Sequence, residues 1–381
     1  MTCGVEAGID YLDLELRAIE DCLMSTGVFE AVSLYPDGDT LVIDVIELDT
    51  RPGRAEGTLA YASQDGVIAS LSFERYNLLP KTYGAVRFDL NEEVRRFDGR
   101  LYRADAFGEQ LDLGFDIIGE RAEYDDRSYA QEGLRAEPFL AWTPHERARL
   151  EAGIGYRDHR MYDVEADASA LLAREQTDGI AAPYLRLGAS YTSADDDGPL
   201  GYRVRFDQYF WNLFSDDPLS DTRLDIEAQL ALARRTYLLL GVNGGVLTGL
   251  AGNDTRAVDR YFPGADTFRG FAPRGTGPRD RGDALGGNRF LVASLEVQRE
   301  FTEPFPRPVR GGVFMDVGSA WGLDDTLGGG IDDSWRTRSS IGVSIAFDLG
   351  ETPVSLYVAR PLRSQPGDDW QAIGLSISAS F

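Results

Sequence analysis

Arg269, Glu296 and Asp316 are three charged residues whose types and spacing suit them to act together. An arginine fork can satisfy two carboxylates at once through charge-assisted hydrogen bonds. Such a trio fastens one segment to two others and breaks no bond. Each member sits in a short block: FRGF at 268–271, GDALGGNRFLVASLEVQ at 282–298 and GVFMDVGSAWG at 312–322. The second and third blocks alternate apolar and polar residues, as strands with two unlike faces do. Leu295 and Val297 fall opposite Glu296, and Met315 and Val317 fall opposite Asp316. Alternation therefore sends both carboxylates to one side. Gly270 lets the backbone turn sharply beside the arginine, and Phe268 and Phe271 are placed to wedge the tip. Residues 272–283 are too rich in Gly, Pro, Arg and Asp to be a strand or helix.

Groups suited to catalysis are scarce. The chain has two histidines, His145 in a TPHER turn and His159 just past a strand pattern, and both read as exposed. Neither has a nucleophile elbow or a cysteine partner nearby, and no cluster has metal-ligand spacing. The expectation is a protein that is not an enzyme, with no metal and no cofactor. A net charge of -25, with Lys81 the single lysine, excludes a nucleic-acid partner, because phosphate binding needs a basic face. Cys3 and Cys22 fit one disulfide or two free thiols equally. The first residues lack the basic and then apolar pattern of a signal peptide, so an exported protein would be represented here in trimmed form.

Residues 11–25 carry Leu12, Leu16, Ile19 and Leu23 on one helical stripe, and Gly27 stops the helix. Two short strands, 29–35 and 40–47, follow around a Pro-Asp-Gly-Asp turn. From residue 56 the texture changes. Short alternating segments recur at intervals of roughly 20 residues, about sixteen in all, from 58–62 to 371–381. Each is close to the ~9–11 residues of a tilted transmembrane strand, and an even count suits a closed barrel. No run approaches the ~20 apolar residues of a membrane helix. Phe206, Tyr209 and Trp211 read as an interfacial aromatic girdle. In the last segment Ile373, Leu375, Ile377, Ala379 and Phe381 share one face, and Ser376, Ser378 and Ser380 share the other. That is a lipid face backed by a wet lumen. The stretch 249–287 is a loop of more than 30 residues between strands, a length that is uncommon without a function.

These blocks resemble a known family. FRGF is similar to the V-R-G-[FY] signature on a long loop of the outer-membrane assembly and translocation family typified by BamA and TamA. GPRDRGDALGGNRFLVASLEVQ and GGVFMDVGSAWG continue the match. LRAIEDCLMSTGVFEAVSLYPDGDTLVIDVIE resembles the second half of a polypeptide-transport-associated (POTRA) repeat, and a terminal Phe381 with Gly374 seven residues earlier resembles the assembly signal of outer-membrane barrels.

The resemblance implies an all-β transmembrane barrel of about sixteen antiparallel strands over 53–381, preceded by a partial POTRA segment over 1–52. It implies that the long loop folds into the lumen, where Arg269 meets Glu296 and Asp316. It further implies a seam between the first strand (Thr58, Leu59, Ala60 and Tyr61) and the last (Gly374, Leu375, Ile377 and Phe381) that opens sideways for clients. Gly57 and the small residues of the first strand suggest that this seam is weak. The implied location is the bacterial outer membrane, with the N-terminal segment in the periplasm. The implied partners are unfolded outer-membrane proteins and outer-membrane lipid, with periplasmic chaperones or accessory lipoproteins. Two alternatives stay open at this point: a passive pore, and a TamA-like or two-partner-type translocation barrel.

Overall fold

A strand with one apolar and one polar face must bury one of them, and antiparallel strands in series do so most completely by closing on themselves. The computed structural model of the protein shows this outcome. It describes residues 29–37, 40–47, 53–62, 66–79, 81–125, 127–145, 147–176, 179–193, 200–265, 267–301, 309–349 and 352–380, with Leu16, Ile19, Glu20 and Leu23. Cys3, Cys22 and Phe381 lie outside the described residues, as does the Gly38–Asp39 tip of the first turn.

The chain forms two compact units, Met1–Arg54 and Ala55–Phe381. In the first, β1 (Phe29–Asp37) pairs antiparallel with β2 (Thr40–Glu47). Leu16, Ile19 and Leu23 are helical, and Ile19 and Val32 are buried.

The second unit is a closed barrel of sixteen antiparallel strands. In chain order they begin with β3 (Arg54–Ala62), β4 (Gly66–Leu79), β5 (Thr82–Leu90), β6 (Val94–Arg103), β7 (Leu111–Glu123) and β8 (Ala130–His145). Then come β9 (Ala148–Tyr162), β10 (Ile180–Ser193), β11 (Leu200–Trp211), β12 (Leu219–Ala233) and β13 (Thr236–Gly249). A long loop containing the two-residue strands β14 (Arg279–Asp280) and β15 (Asp283–Ala284) leads to β16 (Arg289–Phe301). The wall ends with β17 (Val309–Trp321), β18 (Arg338–Leu349), β19 (Thr352–Arg363) and β20 (Ile373–Ser380). Every strand expected between 58 and 381 is present, most of them longer than alternation alone marked out. The expectation that 272–283 holds no strand needs correcting, since β14 and β15 form a minimal hairpin there.

Register fixes which face is which. Starting from Glu296 and Asp316, whose side chains meet the long loop, cross-strand pairing carries the inward face around the wall. It runs through Asp207, Glu151, Glu137, Asp116 and Arg100. The alternate residues, such as Leu113, Phe115, Leu140, Ile154, Leu187, Leu224, Leu295 and Val313, are exposed on the outside. The same parity overturns the girdle expected of Phe206, Tyr209 and Trp211. Phe206 is outward and exposed, whereas Tyr209 and Trp211 lie on the opposite face, stacked on each other at 4.4 Å and buried against Tyr184. An odd sequence separation puts two strand residues on opposite faces.

At the rim that carries the long loop, a second apolar cluster forms. Tyr129, Met161, Leu171, Leu172, Ala257, Leu285 and Ile331 come from four different connections and strand ends. The short helix Ala170–Glu175 contributes two of them, and Ser169 caps it by accepting from the Leu171 N–H.

Candidate functional site

The long loop, residues 250–288, descends into the barrel and is held at its tip by one arginine. Arg269 Nε and Nη2 donate to the two oxygens of Asp316 at 3.0 and 2.8 Å, and Nη1 donates to Glu296 Oε2 at 2.6 Å. Its backbone N–H adds a bond to Asp316 Oδ2 at 3.1 Å. The structure thus brings together the three charges singled out in the sequence. Asp316 is 1% exposed and Glu296 7%, so neither carboxylate can turn to water for compensation. Burial works against the Arg269 charge, but the Asp316 and Glu296 carboxylates outweigh it and hold the guanidinium above its usual range.

Four residues of the site were not singled out from the sequence. Ser294 accepts from Arg269 Nη2 at 2.8 Å and donates to Asp316 at 2.7 Å. Ser344 donates to the free side of Glu296 at 2.6 Å, and Ser340 donates to the Arg269 carbonyl at 2.5 Å. Phe314 lies under the guanidinium, 3.5 Å from its carbon to the ring centre. A signal for two of them existed: Ser294 and Phe314 each precede a carboxylate by two residues and so share its face. Ser340 and Ser344 required the β17–β18 register, which sequence spacing does not give.

The other members of the motif take up the space around the arginine. Phe268 and Phe271 are both fully buried, with ring centres 4.6 Å apart, and they pack on Val292. Gly270 has φ +91°, and a Cβ there would come within 2.9 Å of Ser340 Cβ and 3.3 Å of Ala359 Cβ. No other residue fits this turn without moving the wall. The tip also touches the connection before the last strand. Phe271 bridges Trp370, the Gln371 N–H donates to the Gly270 carbonyl at 3.2 Å, and the Ala272 N–H donates to Asp369 at 3.1 Å.

Two further ion clusters fasten the loop nearer its start. Asp259 accepts from Arg157 at 2.9 Å and lies 3.2 Å from His159 Nε2. Burial opposes the charge on Asp259, but Arg157, His159 and Arg256 outweigh it and hold the carboxyl well below the usual carboxylate range. Arg260 donates to Glu175 at 2.5 Å, and burial pushes that carboxyl up despite the arginine. His159 is therefore neither beyond its strand nor exposed. It points inward from β9 with 12% of its side chain exposed, because β9 runs on to Tyr162. His145, at the far rim, is exposed as expected.

At the closure of the barrel, β20 pairs with β3 through Ser376↔Ala62, Ile377↔Tyr61, Ser378↔Ala60, Ala379↔Leu59 and Ser380↔Thr58. Leu59 is exposed, and a Cβ on Gly374 would strike the Tyr357 ring at 2.0 Å. Gly374 therefore makes room for an aromatic side chain of β19.

A closed sixteen-stranded wall with an apolar outer face and a loop locked into its lumen defines a transmembrane barrel of the outer-membrane type. Residues 82–381 match the model of the Omp85 superfamily domain, and the chain belongs to that superfamily. It is 25% identical over 374 residues to the outer membrane protein assembly factor BamA of Neorickettsia risticii (strain Illinois), covering 94% of this chain and 50% of that protein. The chain thus spans half the length of this curated relative. A sorting and assembly machinery component 50 homolog of Xenopus tropicalis is 28% identical over 172 residues, 41% of this chain and 36% of that protein. Among solved structures, BamA from Haemophilus ducreyi lacking POTRA domains 1–3 superposes with a TM-score of 0.78 at 18% identity, covering 96% of this chain and 78% of the other. CdiB from Acinetobacter baumannii gives 0.60 at 13% identity, covering 99% and 70%. These two likenesses concern the fold.

Proposed function

We propose that this chain is the barrel of an outer-membrane assembly factor that helps unfolded β-barrel proteins fold and insert, by opening the seam between β3 and β20. Membership of the superfamily and the likeness to BamA support the reading. The observation that carries it is the arrangement of the seam: the strand that closes the barrel begins next to the point where the tip of the long loop is fastened. Unpaired strand edges created there would offer backbone donors and acceptors to an incoming strand, the physics of β-augmentation.

The clamp has a place in this scheme. Arg269 fixes the loop tip, and the tip holds residues 369–371 immediately before β20. Fastening the loop therefore sets where the closing strand begins. The role of Arg269, Glu296 and Asp316 is anchoring; an ion pair of this kind is a modest net stabiliser but selects one arrangement. Residues 1–52 read as a partial POTRA segment on the periplasmic side, where clients would first be met.

The test is reconstitution into liposomes with an unfolded small outer-membrane barrel as client, its folding followed by heat-modifiability on a gel. Faster client folding than in empty liposomes is expected. No acceleration, together with steady ion conductance, would contradict the reading and leave a passive pore. Movement of an unfolded polypeptide across the bilayer without client insertion would favour a translocation barrel instead.

A further inference from the structure

On the outer face of β4 to β7, the half nearest the short turns carries two arginines and, among the described strand residues, no carboxylate. Cross-strand pairing gives two adjoining outward rows there. The upper is Phe73, Val86, Gly99 and Ile117, and the lower is Arg75, Gly84, Leu101 and Phe115. Arg103 follows Leu101 by two residues and so shares its face. The acidic neighbours are engaged elsewhere. On the lumen side Glu74 accepts from Tyr83 at 3.0 Å and Asp116 from Arg100 at 2.7 Å, and in the turn Asp105 is held by Lys81 at 3.0 Å. Arg75 and Arg103 are exposed and make no ion pair among the described residues. An unpartnered cation on a lipid face is costly unless its arm reaches an anion at the bilayer surface.

An apolar groove of about 410 Å³ runs between these rows. Gly84 in the lower row and Gly99 in the upper row are diagonal neighbours, so the groove climbs from Arg75 across β5 and β6 towards β7. Its floor is closed by methyl groups. Those of Leu78 and Leu101 lie 3.2 Å from the place of a Cβ on Gly84, and one of Ile117 lies 2.8 Å from that on Gly99. Phe73 and Val86 wall one side, and Leu101 and Phe115 the other. Arg75, at the lower end, is the outward-facing charge of the lining. An apolar channel that ends on an unpaired cation matches an apolar chain with an anionic head.

We propose that this groove holds one anionic phospholipid of the inner leaflet. Its phosphate sits on Arg75, with Arg103 as the second cation at that end, and an acyl chain lies between the Val86 and Leu101 walls. Short turns mark the periplasmic rim of an outer-membrane barrel. Arg75 is therefore at the periplasmic end, and the apolar part of the groove runs towards the bilayer centre, as the chain of an inner-leaflet lipid does. Strand geometry sets the Arg75 and Arg103 Cα atoms about 12 Å apart, a gap that two extended arginine side chains can span above Leu78. With no protein carboxylate on it, the Arg75 guanidinium can fork onto two phosphate oxygens. A zwitterionic lipid would bring its own cation against the two arginines, so an anionic headgroup is the better fit. The inference rests on the wall spanning a membrane and is independent of the assembly role.

The test uses the whole chain in phosphatidylcholine nanodiscs doped with phosphatidylglycerol that carries a photoreactive acyl chain. Native mass spectrometry counts the retained lipid, and peptide mapping after illumination locates its chain. The wild type is expected to retain phosphatidylglycerol over phosphatidylcholine and to be labelled on β4 to β7. Arg75→Ala with Arg103→Ala should lower that retention about tenfold, the equivalent of one charge-assisted hydrogen bond. Val86→Trp fills the groove, leaves both arginines in place and should lower the labelling. Arg87→Ala, which removes a lumen-side arginine of β5 bound to Asp89, should change neither. If the double variant fails to fold, Arg75→Gln alone gives the reading. Equal retention of the two lipids, unchanged retention in the variant, label spread evenly around the wall, or release by millimolar inorganic phosphate would overturn the proposal. Client folding measured in parallel separates the two claims: acceleration without lipid selection removes this site only, and lipid selection without acceleration removes the assembly reading only.

Discussion

Replacing Arg269 with alanine should free the long loop while leaving the barrel foldable. The substitution leaves Asp316 and Glu296 buried with no cation between them, a loss of about 3–5 kcal/mol in comparable cases. The remaining tip contacts, the packing of Phe268 and Phe271 on Val292 and the backbone bonds to residues 369–371, supply no charge to replace it. The loop carries Arg274, Arg279 and Arg281, so limited trypsin digestion reads its release directly. The variant should be cut there at enzyme levels that spare the wild type, and its client folding should fall close to the empty-liposome rate. Arg269→Lys should recover little, since a point charge cannot fork across two carboxylates. Glu296→Gln with Asp316→Asn should reproduce the alanine phenotype. A protease-resistant loop with full client folding in Arg269→Ala would count against anchoring.

A second large effect is expected on another stretch of the lumen wall, β8 to β11, and on stability. Arg186 donates to Glu137 at 2.6 Å and to Glu151 at 2.7 Å, and lies 3.6 Å from Asp207. The three carboxylates are not equally dependent on it. Glu151 keeps Arg149 at 2.7 Å, and Asp207 keeps Arg205 at 2.7 Å. Glu137, 4% exposed, has no other ion pair among the described residues. Arg186→Ala therefore strands one buried carboxylate, and it should cost about 3–5 kcal/mol in urea unfolding of the reconstituted barrel. Adding Glu137→Leu should return most of the loss, because a buried ion pair replaced by apolar groups is close to neutral. A single variant as stable as the wild type would mean that water reaches Glu137.

The sequence made much of this wall legible, and the exceptions have physical causes. Strand count and order followed from alternation, and Leu295–Glu296–Val297 alone was enough to point Glu296 inward. Strand ends were less legible. β7, β8 and β9 each run several residues past their apolar stretch, and those extra residues include Arg121, Glu132, Asp158 and Arg160. Charges on the outward face at the rim look like the start of a loop, which is why His159 read as lying beyond its strand. Buried aromatics misled for a related reason: Tyr209 and Trp211 match a girdle by composition, and only their odd spacing from Phe206 places them inside. Within the clamp, the three charges were visible by type and motif, but Ser340 and Ser344 come from β18 and need the register between strands. The network of Glu137 and Arg186 needs it too, as its members are 49 residues apart in the chain.

The claim on which the rest depends is that the β3–β20 seam opens for clients. Ala60 and Ser378 are direct cross-strand partners, and a disulfide between cysteines at such a pair is geometrically accessible. Client folding should be measured with the Ala60→Cys, Ser378→Cys protein, oxidised and then reduced in the same liposomes. Loss of acceleration on oxidation and its return on reduction is the predicted result. Equal acceleration in both states would contradict the account, because a barrel that cannot part at this seam would still be folding its clients.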